Sequence, residues 1–302
     1  MREQLGAALY SGRALLLYGP PGSGKTTLAR KLGRLRQGVI AVPYAVVVGQ
    51  HIIDVYDAAL HPPPSPLLAL QARHALERPS GDLRWTICQR PLVALGAELS
   101  EDMLDLRFDA HSGCHQAPPH VKANNGVFII DDLGRQRMAA GDLLNRYIQP
   151  LDSGLDQLSL QGGHKFTVPF DVTLVLITNL APAALLDASA LRRLGYKIHI
   201  GPLSEAGYRQ LFRRQCRVAG IGYDDTALRY LITELHGGAG QPLLASHPRE
   251  ILGRIADFAG FAGAAPRLTP ATLEQAWISL FATCTPPAAA ARAPRALEEG
   301  GP

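Results

Sequence analysis

The sequence has few cysteines, few charged residues and no long apolar run. Its four cysteines, Cys88, Cys114, Cys216 and Cys284, are widely spread, and no two of them form a C-x-x-C pair. That pattern argues against a disulfide framework and is typical of a reduced compartment. No apolar run approaches the roughly 20 residues that a membrane span needs, and the N-terminal segment lacks a signal-peptide cleavage site. We therefore expect a soluble, cytoplasmic protein without a membrane span.

The net charge of the protein is too small to indicate which class of partner it binds. Charged residues make up 19% of the 302 residues, and the formal net charge is +4. This value neither indicates nor excludes nucleic acid. The apolar share of 47% is that of a globular protein, and the length suits one large domain or two ordinary ones.

Short apolar runs alternate with helical patterns over residues 1–200. The runs "ALLLY" (14–18), "VFII" (127–130) and "VTLVLITN" (172–179) are typical of strands that are buried on both faces. "KIHI" (197–200) is a last short strand, and the alternation around Gly162-Gly163 predicts a hairpin. Strands that alternate with helices predict an α/β protein, an αβα sandwich with a mostly parallel sheet.

The remaining segments predict a second domain and a tail. Residues 201–284 carry helical patterns only, with Pro248 and Pro270 at the first positions of two helices. Residues 285–302 are of low complexity and are expected to be disordered. Within the first domain, residues 50–120 leave room for an insertion.

The segment "GPPGSGKT" carries the strongest chemical signal. It matches G-x-x-x-x-G-K-[ST] between a predicted strand and a predicted helix. Backbone N–H groups of such a loop face phosphate oxygens, Lys25 reaches the β- and γ-phosphates, and the Thr26 hydroxyl binds Mg²⁺. A chance glycine-rich turn is the alternative. The predicted phosphate-binding residues are Gly19, Pro20, Pro21, Gly22, Ser23, Gly24, Lys25, Thr26 and Thr27.

Two carboxylates follow the buried run "VFII". Ligands of open α/β sheets bind beyond the carboxyl ends of the strands, and a buried carboxylate needs a positive partner. We therefore expect Asp131 to hold Mg²⁺ and Asp132 to orient or deprotonate the attacking water. The alternative for Asp132 is a capping role in the next turn.

The order of motifs resembles that of the AAA+ ATPase superfamily, from about residue 9 to residue 280. "GPPGSGKT" is similar to Walker A, "VFIIDD" to Walker B, "LVLITN" to sensor 1, "ALRRLGYKI" to the arginine-finger segment and "HPRE" to sensor 2. The resemblance implies that Asn179 lies near the γ-phosphate and water. It also implies that Arg193, or its neighbour Arg192, is an arginine finger and that Arg249 contacts the γ-phosphate. The fold it implies is a P-loop NTPase domain followed by a small helical lid.

Within that superfamily the chain looks most like MoxR-type and magnesium-chelatase-type members. "APPHVKANNGVFIIDD" and the hairpin before sensor 1 carry this likeness. It implies a homo-oligomeric ring, usually hexameric, that hydrolyses Mg²⁺-ATP to remodel a protein partner. Asp132 stands where these proteins usually have Glu. Two alternatives stay open: a nucleic-acid-directed loader or motor, and an ATP-dependent switch with very slow hydrolysis.

Other polar clusters have two interpretations each. His111, Cys114, His115 and His120 form either a zinc site or a plain loop. Arg209, Arg213 and Arg217 form either a solvated or subunit-facing stripe, which we favour, or a nucleic-acid surface. Arg135 and Arg137 lie either in solvent or at a subunit boundary. Trp85 and Trp277 are expected in the core.

Overall fold

The chain forms two compact units, Met1–Pro202 and Leu203–Pro302. The computed structural model describes residues 2–36, 38–68, 82–160 and 162–281. The predicted tail, 285–302, and Cys284 lie outside the described residues.

The first unit contains the strands and six of the described helices. The strands are β1 (Leu15–Tyr18), β2 (Val39–Pro43), β3 (Ala45–Val48), β4 (His51–Asp54), β5 (Trp85–Gln89), β6 (Leu92–Leu95), β7 (Arg107–Asp109), β8 (Cys114–Gln116), β9 (Val127–Ile130), β10 (Leu155–Ser159), β11 (Lys165–Pro169), β12 (Thr173–Thr178) and β13 (Tyr196–His199). The helices are α1 (Arg2–Ser11), α2 (Lys25–Leu35), α3 (Pro119–Lys122), α4 (Ala140–Ser153), α5 (Pro182–Leu185) and α6 (Ala188–Arg193), with a 3₁₀ turn at Glu101–Met103.

Five parallel strands form the central sheet, in the order β13-β1-β12-β9-β6. Strand β12 pairs with β1 on one side and with β9 on the other. Because all five strands run the same way, their carboxyl ends meet at one edge of the sheet. This sheet confirms the predicted α/β fold class. Strand β6 was not predicted, and it lies inside the range expected to be an insertion.

Alternate side chains of the sheet pack on its two faces. Leu16, Phe128 and Ile130 belong to the core on the face that α4 covers, whereas Leu15 and Ile129 belong to the core against α1 and α2. Burial on both faces explains why these strands are continuous apolar runs. The layers are those of an αβα sandwich.

The segment between α2 and β9 contributes two small sheets. Strands β2 and β5 form an antiparallel pair, and β3-β4-β8-β7 form a four-stranded sheet. The prediction that Trp85 lies in the core is wrong, because this residue starts β5 with 46% of its surface exposed. A two-stranded ladder leaves its side chains too few neighbours to bury an indole.

The hairpin before β12 confirms the sequence prediction. Strands β10 and β11 pair antiparallel, from Leu155 opposite Pro169 to Ser159 opposite Lys165. Gly162 and Gly163 both have positive φ, at 103° and 84°, as a tight reversal requires.

Helices are the regular elements of the second unit in its described part, as predicted. Its helices are α7 (Glu205–Ala219), α8 (Asp225–Tyr230) continued by a π-helical segment (Leu231–Gly237), α9 (His247–Phe261) and α10 (Pro270–Phe281). Their core includes Tyr208, Phe212 and Leu273. Trp277 packs against it, with its ring centroid 4.7 Å from that of His236. No helix in the described ranges combines the length and apolarity needed to cross a membrane.

Candidate functional site

The loop between β1 and α2 is shaped by glycine. Gly19 has φ of 144°, and a Cβ at this position would lie 2.3 Å from the carbonyl oxygen of Ile200. Gly24, which precedes the first residue of α2, is left-handed with φ of 92°. Neither conformation tolerates a larger side chain without strain. The loop therefore presents backbone at the N-terminal end of α2, as a phosphate-binding loop must.

Lys25 is buried within this loop. Only 5% of its surface is exposed. Its Nζ donates to the carbonyl oxygens of Gly19 at 2.9 Å and Pro20 at 2.8 Å, and to Ser23 Oγ at 3.4 Å. Burial lowers the pKa of Lys25, and the nearby negative charges of Asp131 and Asp132 oppose that shift. The loop lysine and the two carboxylates thus interact electrostatically across the same sheet edge.

Asp131 and Asp132 lie at the carboxyl end of β9. Strand β9 pairs with β12, which in turn pairs with β1, the strand that leads into the loop. The backbone N–H of Asp131 donates to the carbonyl oxygen of Leu95 at 2.7 Å. The N–H of Asp132 donates to Asp131 Oδ1 at 2.9 Å. Asp132 is left-handed, with φ of 51°, which is uncommon for a residue other than glycine. Such strain is characteristic of sites where function fixes the backbone.

Asn179 joins the end of β12 to this turn. Its Nδ2 donates to Asp132 Oδ1 at 3.1 Å. Two further hydrogen bonds connect the end of β12 to this turn. The Leu133 N–H donates to the Ile177 carbonyl at 2.7 Å, and Thr178 Oγ1 donates to the Leu133 carbonyl at 3.0 Å. Since β12 lies between β1 and β9, Asn179 lies between the loop and the carboxylates.

The oxygen atoms near Lys25 suit a hard cation. Thr26 is in the first turn of α2 and is half-buried, and Asp131 is half-buried at the end of β9. A hydroxyl and a carboxylate are ligand types that Mg²⁺ takes, together with phosphate oxygens and water. Thr27 is exposed beside them.

The two candidate finger arginines lie at the opposite, amino edge of the sheet. Both end α6, just before β13. Arg193 is held within its own chain, because its Nε lies 2.9 Å from Asp152 Oδ2 and its guanidinium also donates to Ser189 Oγ at 2.7 Å. Arg192 is exposed, and within the described residues its side chain has no ion pair.

These arginines line a cavity of about 470 Å³. Its other walls come from the connections that precede β1, β12 and β13 and from the C-terminal end of α4. Arg13 and Asp171 contribute further charges to the walls. The cavity is therefore a polar feature of the edge that faces away from the loop.

Arg249 belongs to the second unit. It lies in the first turn of α9, directly after Pro248, and is exposed. Arg209, on α7, is paired with Glu205 and Asp225. Arg213 lies over the ring of Tyr223, with its guanidinium carbon 4.6 Å from the centroid.

Sequence reasoning missed Gln136. Its side-chain amide contacts Asp131, Gly134 and Gly96, on both sides of the turn that carries the carboxylates. A lone glutamine between two arginines has no recognisable motif, so no local signal could have identified it.

The histidine–cysteine segment is neither a plain loop nor a metal cluster. Cys114 and His115 belong to strand β8, and His120 belongs to helix α3. His120 Nε2 lies 2.7 Å from Asp156 Oδ2, and both side chains are 1% exposed. Across the described ranges, no group of three or more His, Cys, Asp or Glu side chains is arranged to hold a metal ion.

Comparison with known proteins identifies the fold. A family model for a domain of unknown function (DUF8689) matches residues 204–279, and no curated protein matches. NtrX from Brucella abortus in complex with ATP has a TM-score of 0.52 and 14% identity over 90% of this chain. The Thermotoga maritima RuvB Holliday junction branch migration motor has a TM-score of 0.50 and 15% identity over 92% of this chain.

These likenesses establish a fold of the AAA+ type. They cover 53% of that NtrX chain and 67% of that RuvB chain. The present chain thus spans about half the length of NtrX. At such identity the likeness extends to the arrangement of helices and strands and not to activity.

Proposed function

We propose that this chain is an AAA+ ATPase that binds Mg²⁺-ATP on the loop Gly19–Thr26 and hydrolyses it with Asp132. One observation carries the proposal: Asn179 and Asp132 are hydrogen-bonded at the same sheet edge as the buried Lys25. A glycine-shaped loop, a lysine, two carboxylates and an amide are the parts that phosphoryl transfer to water needs. The NtrX structures in complex with ATP and with ADP give independent support for a nucleotide ligand.

Each side chain has a distinct role in this account. Backbone N–H groups of the loop bind phosphate oxygens, and Lys25 exchanges its contacts with loop carbonyls for contacts with the β- and γ-phosphates. Thr26 and Asp131 would hold Mg²⁺, which neutralises charge on the phosphates. Asp132 accepts a proton from the attacking water while the water oxygen bonds to the γ-phosphorus and the bond to the ADP oxygen breaks. Asn179 orients both the carboxylate and the water.

Asp132 is one methylene shorter than the Glu that is usual at this position. The backbone must therefore place its carboxylate within reach of the attacking water. The left-handed φ of 51° and the bond from Asn179 fix the direction of this shorter side chain. We propose that this geometry allows hydrolysis. A switch that binds ATP and barely turns over is the alternative, and steady-state phosphate release distinguishes the two.

The arginines at the amino edge support action on a neighbouring subunit. Strand β13 separates Arg192 and Arg193 from the carboxyl edge. Its four residues span about 13 Å at roughly 3.3 Å per residue. A guanidinium on one edge and a phosphate loop on the other favour head-to-tail contacts, which close into rings. We propose a homo-oligomeric, hexameric ring in which one or both arginines contact the neighbour's ATP.

The work of the ring is proposed to be remodelling of a protein partner. The resemblance of "HPRE" to sensor 2 implies that Arg249 contacts the γ-phosphate, and this role stays part of the proposal. A nucleic-acid partner is the less favoured alternative, because Arg209 and Arg213 already have contacts within their own unit. The cytoplasmic location stays a prediction from the sequence.

Two experiments test this function. The first compares ATP binding by calorimetry and phosphate release between the wild type and Lys25→Ala, with Lys31→Ala, an exposed lysine on the same helix, as the matched control. We expect Lys25→Ala to lose ATP binding and Lys31→Ala to retain it. Equal ATP affinity of wild type and Lys25→Ala contradicts the loop assignment.

The second experiment concerns the partner. Asp132→Asn in ATP should hold the partner-bound state, so an affinity pull-down should enrich a protein relative to Lys25→Ala. The alternative predicts a salt-dependent affinity for DNA or RNA. Nucleic-acid binding whose slope against salt reports several phosphate contacts would replace the protein-remodelling proposal.

A further inference from the structure

Gln136 is a buried glutamine whose side-chain amide makes three hydrogen bonds, two to the turn after β9 and one to Gly96, which follows β6. Only 9% of its surface is exposed, although Arg135 and Arg137 on either side are exposed. Its Nε2 donates to the carbonyl oxygen of Asp131 at 2.9 Å and to that of Gly96 at 3.2 Å. Its Oε1 accepts from the N–H of Gly134 at 3.0 Å.

These three bonds hold the turn on both sides of Asp132. The carbonyl of Asp131 precedes Asp132, and the N–H of Gly134 follows it by two residues. One planar amide fixes the distance between those two backbone groups. The bond to Gly96 then fastens the turn to the connection that leaves β6, the strand that pairs with β9.

The turn needs such support because its backbone is strained. Asp132 has φ of 51° and Gly134 has φ of 99°. A left-handed residue other than glycine costs on the order of 1–3 kcal/mol and persists only where its surroundings determine it. The peptide between Asp131 and Asp132 is the one whose orientation the Gln136 amide controls.

The sheet itself does not depend on these bonds. Strand β9 is paired along its whole length with β12 and with β6, and its four residues are fully buried. Loss of the Gln136 amide therefore changes the turn before it changes the core.

We infer that Gln136 is a positioning residue for the reaction proposed above: it sets the directions of the Asp131 and Asp132 carboxylates through the backbone that carries them. This inference rests on the proposed ATPase function. Gln136 does not contact nucleotide in this account, and it acts only through the two acids. A displacement of about 1 Å of a catalytic group can cost roughly 100-fold in rate.

The test is Gln136→Met, which keeps the length of the side chain and removes all three hydrogen bonds. The matched control is Gln149→Met, at an exposed glutamine on α4. We expect kcat of Gln136→Met to fall about 10- to 100-fold. Affinity for ATP without Mg²⁺ should stay within about twofold, because the loop supplies those contacts. Gln136→Asn, whose shorter amide cannot reach all three partners, is a second variant with the same expectation.

The outcomes separate this inference from the function beneath it. Equal kcat in Gln136→Met and wild type, per folded subunit, overturns the positioning role and leaves the ATPase proposal intact. A loss of activity that only matches a loss of folded protein, measured by circular dichroism, also overturns it. A wild type without phosphate release contradicts the proposed function and this inference with it.

Discussion

The side-chain amide of Asn179 donates a hydrogen bond to Oδ1 of Asp132, at 3.1 Å. This bond connects the ends of two adjacent parallel strands, β12 and β9, at the edge where the glycine-shaped loop begins α2. Because Asn179 contacts Oδ1, we propose that Oδ2 of Asp132 is the oxygen that accepts the proton of the attacking water. An amide and a carboxylate arranged in this way can hold one water by its oxygen and by its proton. The proposed chemistry depends on this pair.

Asn179→Ala should lower kcat by about 10-fold or more, because Asp132 and the water lose a shared partner. ATP affinity should change little, since the loop and Lys25 carry it. Asn145→Ala, at an exposed asparagine on α4, is the matched control. Steady-state phosphate release and nucleotide titration measure the two effects, and an unaltered kcat argues against a role for Asn179.

Asp131→Asn should weaken nucleotide binding only when Mg²⁺ is present. The amide keeps the shape of the side chain but loses the charge that a divalent cation prefers. ATP titrations with Mg²⁺ and with excess EDTA give the comparison. The ratio of the two affinities should shrink several-fold in the variant. If the ratio equals that of the wild type, Asp131 does not hold the metal.

The arginine pair can be tested by mixing. Arg192→Ala and Arg193→Ala should each bind ATP, and the variant that removes the finger should be inactive alone. When that variant is mixed with Lys25→Ala, which keeps its arginines, activity should return at interfaces that both proteins share. The gain should be large, because an arginine finger raises the rate of hydrolysis by about 10³–10⁵-fold. Native mass spectrometry must show mixed rings. Mixed rings without activity contradict action on a neighbour.

Asp152→Asn tests whether Arg193 or Arg192 is the arginine finger. The change removes the charge that holds Arg193 in its own chain, at 2.9 Å. If Arg193 is the finger, Asp152→Asn should raise kcat at low protein concentration, because the guanidinium no longer leaves an ion pair. If Arg192 is the finger, kcat should be unaffected. Concentration-dependent ATPase assays decide between the two.

The helical unit should lose stability in mild acid. The Nδ1–H of His236 donates to the Gln241 carbonyl, so its Nε2 accepts from the Tyr208 hydroxyl at 3.1 Å. Burial lowers the pKa of His236 to about 4, against about 6.5 in an unfolded chain. The unfolded state therefore binds more protons between pH 6.5 and 4, and the stability present above pH 6.5 is lost as pH falls through that window.

His236→Gln measures this contribution. Glutamine does not titrate, so the drop in Tm between pH 7 and pH 5 should be smaller for the variant than for the wild type. His247 lies beside His236, and burial lowers its pKa too, so part of the drop persists. An equal drop in Tm in the variant and the wild type would show that protonation of His236 does not cause the loss of stability.

The parts that could be predicted from sequence are those with local signals. Continuous apolar runs identified β1, β9 and β12 because both faces of these strands are buried, and Gly162-Gly163 identified the hairpin because its turn needs positive φ. The loop Gly19–Thr26 has a motif because phosphate binding constrains backbone, lysine and hydroxyl together.

The parts that could not be predicted depend on packing between distant segments. Strand β6 is four residues long, and only its pairing with β9 distinguishes it from a loop. The exposure of Trp85 follows from the small ladder it joins. Asp152 holds Arg193 from 41 residues away, a distance over which sequence pattern carries no information.

Whether Asp132 acts in hydrolysis is decided by phosphate release from Mg²⁺-ATP, measured for wild type and for Asp132→Asn with ATP affinity in parallel. We predict steady release by the wild type and a rate about 10²–10⁴-fold lower in Asp132→Asn, with ATP still bound. Equal rates in the two proteins, or a wild type that binds ATP and releases no phosphate, would contradict the claim that Asp132 and Asn179 form a hydrolytic site.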